Sequence, residues 1–260
     1  MTSFLDHLFD LKGRVVAVTG GGGYLCGEMA RGLAKAGCKV VVMDLRTEKA
    51  EAVAKHICND IGGEAIGIGL DASDKNAFRT GLAKTLETFG NADILINGAG
   101  INSPTPFLDI ELEEFNAVMS SQITSTLFGC QVFGEHMLKR GKGTIINISS
   151  ASAGPPLSKA FTYSIAKAGI LNLTQNLARE WGTQGVRVNA IRPGFFPTEW
   201  NRKNFISKER EAAIFAHTPM ARFGNVEELV GAIIYLASDA SVFVTGSELA
   251  VDGGYSCMTI

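Results

Sequence analysis

Runs of β-branched and apolar residues alternate with helix patterns from residue 14 to the end of the chain. Residues 14–19, 38–44, 64–69, 93–97, 143–149, 186–191 and 247–251 read as strands. Residues 24–35, 48–59, 74–89, 111–139, 161–181 and 226–237 read as helices. Val- and Ile-rich strands with helices between them imply a parallel sheet covered on both faces, because a parallel connection needs a crossover. Right-handed crossovers make this an α/β, doubly wound, Rossmann-type sheet of about seven strands with helices on both faces. The alternation has no repeat or linker-like break, so residues 1–260 read as a single domain. Only residues 194–223 interrupt it. Ligands of such sheets bind beyond the carboxyl ends of the strands.

Composition narrows the function classes. The chain has 260 residues, net charge −2, and 46% apolar residues. This is ordinary globular composition, without the basic footprint that nucleic acid requires. Five scattered cysteines form no Cys-x-x-Cys and read as reduced thiols. The four histidines lack metal-ligand spacing, so no metal is expected. Residues 1–12 lack the basic start and long apolar core of a signal peptide and read as a short segment packing on the domain edge. No apolar run approaches the ~20 residues of a membrane span, and a cytoplasmic location is expected.

Chemistry is expected where strands end. Gly20 to Gly23 follow the first strand. Such a turn lets backbone N–H groups approach a pyrophosphate at a helix N-terminus. Asp44 ends the second strand about twenty residues later, where a carboxylate accepts hydrogen bonds from a ribose diol and repels a 2′-phosphate. NAD is therefore expected over NADP, with Arg46 close by. Tyr163 and Lys167 are four apart and share a helix face. An ammonium there favours the phenolate, and Ser150 upstream adds a hydroxyl that can hold a carbonyl or alcohol. Taken alone, Tyr-x-x-x-Lys is common and most often a solvated pair.

Read in order, these motifs resemble the short-chain dehydrogenase/reductase family over nearly the whole chain. Thr19-Gly20 opens the loop, and Asp71 follows strand three. Asn97-Gly98-Ala99-Gly100 follows strand four, and Asn147-Ile148-Ser149-Ser150 ends strand five. Tyr163-x-x-x-Lys167 comes thirteen residues after Ser150. Arg192-Pro193-Gly194 with Thr198, Val244-Thr245-Gly246 and Val251-Asp252-Gly253-Gly254 complete the set. The resemblance implies catalytic roles for Ser150, Tyr163, Lys167 and Gln122. Lys167 would lower the tyrosine pKa. The resemblance also implies cofactor contacts from Gly20, Gly23, Tyr24, Leu25, Asp44, Asp71, Asn97, Gly98, Tyr163, Lys167, Pro193, Phe196 and Thr198. It implies hydride exchange between a nicotinamide and an alcohol or ketone carbon, and a homotetramer built on helices 111–139 and 161–181 and the last strand.

Three positions depart from the family pattern. Tyr24 and Cys26 stand at the second and third glycines of the cofactor loop. Gln122 stands where the family carries a relay asparagine. Gly98 replaces the second asparagine after strand four. Residues 195–223 are expected to form a substrate lid carrying Trp200, Arg202, Lys203 and Phe205. Arg192, Arg202 and Lys203 are candidates for a substrate carboxylate, and Asn102, Ser103 and Asn201 for substrate hydroxyls. The Gly20–Cys26 loop, the stretch 193–202 and the stretch 217–224 are similar to the sugar-acid oxidoreductases that interconvert mannonate and fructuronate. A sugar acid or polyol is one expected substrate. A 3-oxoacyl thioester or another ketone is the alternative. A non-catalytic dinucleotide-binding protein is the competing class.

Overall fold

A computed structural model describes residues 4–258. Helix α1 (Phe4–Leu8) leads into strand β1 (Val15–Thr19), helix α2 (Tyr24–Lys35), β2 (Lys39–Asp44), α3 (Thr47–His56) and β3 (Ala65–Gly69). Then come α4 (Lys75–Phe89), β4 (Ile94–Asn97), α5 (Leu112–Met119), α6 (Ser125–Arg140), β5 (Gly143–Ile148) and α7 (Phe161–Trp181). The chain closes with β6 (Val186–Pro193), α8 (Glu199–Phe205), α9 (Lys208–Ala216), α10 (Val230–Ala237) and β7 (Glu248–Val251). The strands form one parallel sheet in the order β3-β2-β1-β4-β5-β6-β7. The order reverses at β1 and β4, so a crevice opens beyond their carboxyl ends.

Burial explains the alternation. β1, β4 and β5 are buried along their whole length, as strands covered on both faces must be. One core lies under α2 and α10, with Met29, Leu33, Val42, Ile96 and Ile233. The other lies under α4, α6 and α7, with Phe78, Leu95, Phe133, Ile145 and Trp181. Among the described residues no helix is long and apolar enough to cross a membrane.

The structure departs from the sequence reading in three places. The expected helix over 111–139 is interrupted by a π-helical turn, Ser120–Thr124, between α5 and α6. The irregular stretch after residue 194 contains α8 and α9, capped by the Thr198 and Ser207 side chains. At the N-terminus the chain forms a helix, α1, that has no buried residue, and Phe4 and Leu5 are exposed. Leu11, farther along that segment, is buried.

Candidate active site

The crevice begins at the glycine turn. Gly20 has φ +66°, open to glycine at little cost, and a Cβ there would meet the Gly98 carbonyl at 2.9 Å. Gly23 is the N-cap of α2 and provides no side-chain cap, so the first turn at Tyr24 and Leu25 leaves N–H groups without a side-chain acceptor. Asp44 is buried beside this turn. Its Oδ2 accepts from the Gly22 N–H at 3.1 Å and its Oδ1 from the Arg46 N–H at 3.0 Å. Lone pairs remain on both oxygens. Arg46 keeps its Nε 3.9 Å from Oδ1. An anion-receptive helix start with a carboxylate at the neighbouring strand end fits a dinucleotide.

The two unusual loop positions prove to be one packing arrangement. Cys26 is buried, and a Cβ at Gly98 would fall 2.2 Å from its sulfur. The thiol fills the space that a side chain at 98 would need. Burial pushes its pKa up to about 11, with Lys167 opposing the rise. Thr19 ties the same region together, its Oγ1 accepting from the N–H groups of Gly98 (3.0 Å) and Ala99 (3.3 Å).

Ser150 leaves the end of β5 and caps a short turn, its Oγ accepting from the Ser152 amide at 3.2 Å and lying 3.1 Å from the Ser152 hydroxyl. Tyr163 and Lys167 lie in the first two turns of α7, the Lys167 ammonium 5.4 Å from the Tyr163 ring centre. Lys167 is buried and donates to the Ile148 carbonyl at 2.6 Å. Burial brings its pKa down to about 8. The expectation that Lys167 lowers the tyrosine pKa concerns one contribution, whereas the net direction at Tyr163 is upward. Burial raises the phenol above its usual value, and the hydrogen bond with Ser150 only partly offsets this.

The remaining predicted residues divide. Phe196 is buried against Gly224, and Pro193 ends β6. The Thr198 hydroxyl caps α8 by accepting from the Asn201 amide at 3.0 Å. Asp71 is exposed, and hydrogen bonds from Ser73 hold its pKa below the usual carboxylate value. The Asn97 side chain faces the interior. It donates to Asn147 Oδ1 at 2.9 Å, and Asn147 donates to Thr174 at 2.9 Å. From this position a ligand would meet backbone, not the amide. Gln122 lies in the π turn, and its Nε2 donates to the Ile101 carbonyl at 2.8 Å. Among the described residues no bond joins it to Lys167.

The lid segment carries Arg202 over the Phe223 ring (5.2 Å) and 3.8 Å from Glu211. Arg210 reaches Ser158 at 3.5 Å, linking the lid to the Ser150–Tyr163 connection. The side chains of Trp200, Asn204 and Phe205 lie outside the described set. Arg192 is unsuited to a substrate carboxylate, because its guanidinium pairs with Glu248 on β7. Sequence reasoning overlooked Ser121, whose Oγ accepts from the Ile101 N–H at 3.2 Å. Its only signal was adjacency to Gln122.

The model of a family described as enoyl-(acyl carrier protein) reductase matches residues 25–256. Uncharacterized oxidoreductase UxuB of Bacillus subtilis (strain 168) is 40% identical over 95% of this chain and 96% of its own. The chain belongs to the short-chain dehydrogenase/reductase family. It is therefore an NAD(P)-dependent oxidoreductase. Two solved members of the family are similar throughout. A gluconate 5-dehydrogenase from Burkholderia cenocepacia J2315, in complex with NADP and tartrate, has TM-score 0.92 and 34% identity, covering 97% of this chain and 99% of that one. A Haemophilus influenza protein assigned as a D-mannonate oxidoreductase, with bound NAD, has TM-score 0.89 and 36% identity, covering 96% and 97%.

Proposed function

We propose that this dehydrogenase/reductase interconverts a secondary alcohol and a ketone on a sugar acid or polyol, using NAD(H), with Tyr163 as acid and base. The observation that carries the reading is the convergence of Ser150, Tyr163 and buried Lys167 at the ends of β5 and α7, beside the glycine turn and Asp44. The Gly20–Leu25 turn would hold a pyrophosphate and Asp44 a ribose diol. Asp71, the Asn97–Gly98 backbone, Pro193, Phe196 and Thr198 would line the rest. When bound, the nicotinamide supplies or accepts the hydride. The Ser150 hydroxyl orients the reacting oxygen. The Tyr163 phenol gives that oxygen a proton in reduction and takes it back in oxidation. A protonated Lys167 beside the phenol favours the anion that oxidation requires.

The relatives named for gluconate and D-mannonate support a polyhydroxy acid. They do not decide the cofactor, since one was solved with NADP and the other with NAD. Asp44 favours NAD by repelling a 2′-phosphate. A ketone of an acyl thioester is the second reading; the description of the matching family shares with it the acyl thioester, although an enoyl reductase acts on a carbon–carbon double bond. A panel of sugar acids, polyols and acetoacetyl thioesters, assayed with NAD(H) and NADP(H) in both directions, tests these readings. Turnover of a sugar acid or polyol that Tyr163→Phe lowers by about 10³-fold or more is expected. NADH binding without turnover of any alcohol or ketone would overturn it. Asp44→Asn should raise NADP use relative to NAD by about tenfold or more. Equal use of both cofactors by the unmutated protein would remove Asp44 as the selector.

A further inference from the structure

The segment that leaves β5 turns at once. Ser150 is extended, with φ −161°, and Ala151–Ala153 form a short 3-10 turn, with the Ala153 N–H donating to the Ser150 carbonyl at 2.9 Å. The turn packs against α7, the helix that carries Tyr163 and Lys167. Ser150 Oγ accepts from the Ser152 N–H at 3.2 Å, the usual bond of a serine that leads a turn. A second bond is added to it. The Ser152 hydroxyl folds back and donates to the same Ser150 Oγ at 3.1 Å. Ser152 is only 3% exposed, and a buried hydroxyl needs a partner. Here the partner is the serine that stands beside Tyr163.

The consequence follows from counting lone pairs. A serine hydroxyl has one proton to donate and two positions at which to accept. Ser152 fills both acceptor positions of Ser150. What Ser150 can offer to Tyr163, or to a substrate oxygen, is then its proton alone. A proton donated to the phenol oxygen favours the phenolate, whereas a proton accepted from the phenol would hold the neutral form. The bond between Ser150 and Tyr163 acts in the first direction, against the upward pull of burial. The ionisable groups beside the phenol are Lys167 on the same helix, 5.4 Å from the ring centre, and Cys26 on α2, whose influence is upward. Burial pushes the Cys26 thiol up to about 11, so it stays neutral over the working range. Lys167 and Cys26 act on the phenol by charge, and the direction of the Ser150 bond is set by Ser152.

We propose that Ser152 is a positioning residue for Ser150: by giving both its N–H and its hydroxyl to the Ser150 oxygen, it makes Ser150 a donor toward Tyr163 and toward the reacting oxygen. In oxidation the alcohol proton passes to the Tyr163 phenolate and the hydride to the nicotinamide, while the Ser150 proton stays on Ser150. In reduction that same proton polarises the ketone, and the phenol supplies the proton that the new alcohol keeps. Ser152 touches neither substrate nor cofactor in this role. The kinetic part rests on the alcohol–ketone reading above, whereas the donor direction at Ser150 does not.

The test combines kinetics with a titration of the phenol on the full chain. Ser152→Ala removes the hydroxyl, Ser152→Cys keeps the volume with a weak donor, and Ser152→Thr is the conservative variant. All three keep the backbone N–H, Lys167 and Cys26. With whichever alcohol the panel identifies, Ser152→Ala and Ser152→Cys should move the acid limb of the oxidation profile up by about one pH unit. Oxidation on that limb then slows about tenfold at fixed pH and approaches the parent rate above it. Ser152→Thr should restore the parent profile, and NADH affinity should stay within about twofold throughout. The phenol itself is followed by the fluorine resonances of chain labelled with ring-fluorinated tyrosine at its four tyrosines, with Tyr163→Phe assigning the signal. Its titration should rise by about one unit in Ser152→Ala and return in Ser152→Thr. A rate lowered equally at every pH, with an unmoved Tyr163 titration, would overturn the proposal and leave Ser152 a packing residue. If the unmutated protein turns over no panel compound, the alcohol–ketone reading fails, and the titration still decides the direction of the Ser150 bond.

Discussion

Burial lowers the Lys167 ammonium to a pKa of about 8 from 10.5, and its bonded partner is a neutral carbonyl, Ile148. A folded-state pKa below the unfolded value means that the folded chain binds fewer protons between about pH 8 and 10.5. The associated penalty is present in full below that window and disappears as pH rises through it. Near pH 7 it amounts to about 3 kcal/mol. Lys167→Met removes it but orphans the Ile148 carbonyl, at a cost of about 1–3 kcal/mol. The variant should therefore be inactive, more stable than the parent by about 1 kcal/mol near pH 7, and less stable above about pH 10.5. Denaturant titration at both pH values checks this crossing. Equal destabilisation at both would show that the ammonium is not held at a cost. Tyr163 belongs to the same description, since burial raises its pKa too. Deprotonating the phenol in this enclosure calls on the neighbouring positive charge, and above about pH 8 that charge is lost.

At the scale of elements, α2 and the turn after β4 meet through Cys26 and Gly98. Gly98→Ala places a methyl within 2.2 Å of the Cys26 sulfur and should weaken NADH binding and lower Tm. Cys26→Ala in the same chain should restore both. A coupling energy of about 1–3 kcal/mol is expected from the double-mutant cycle, measured by NADH titration and thermal denaturation. Additive effects would show the two positions to be independent. This pair also shows where sequence reasoning stopped. Both departures were visible as single letters, but their compensation depends on a contact 72 positions apart. Long periodic elements were legible: α7 spans Phe161–Trp181 as its apolar spacing predicts, and the strands fall within one or two residues of their expected ends. The π turn was not legible, because one extra residue per turn scarcely alters the apolar pattern of a long helix. The helices α8 and α9 were hidden by their shortness, although Thr198 and Ser207 were readable as caps. The triad of Ser150, Tyr163 and Lys167 could be named from spacing. The direction in which burial moves Tyr163 could not, since the sequence does not state what encloses a side chain.

For the whole molecule, the faces of α5 and α7 carry exposed apolar groups. Phe107, in the short turn before α5, lies against Phe161 with ring centres 5.3 Å apart, and Leu108 of that turn, Leu112 of α5 and Ile165 of α7 are exposed. A homotetramer formed over these helices would cover them. Ile165→Glu should then reduce the assembly to smaller species in sedimentation velocity at micromolar concentration, with the monomer fold intact by circular dichroism. A parent chain that sediments as a monomer would end that proposal. The buried chain Asn97–Asn147–Thr174 acts at the same scale, because it crosses β4, β5 and α7 at the base of the site. The end of β4, the end of β5 and the Tyr163 helix are joined by this chain of bonds. Heat therefore has little means of loosening one of them while the others hold. Inactivation on warming is therefore expected to be a property of the core, with turnover falling at the temperature at which the sheet gives way.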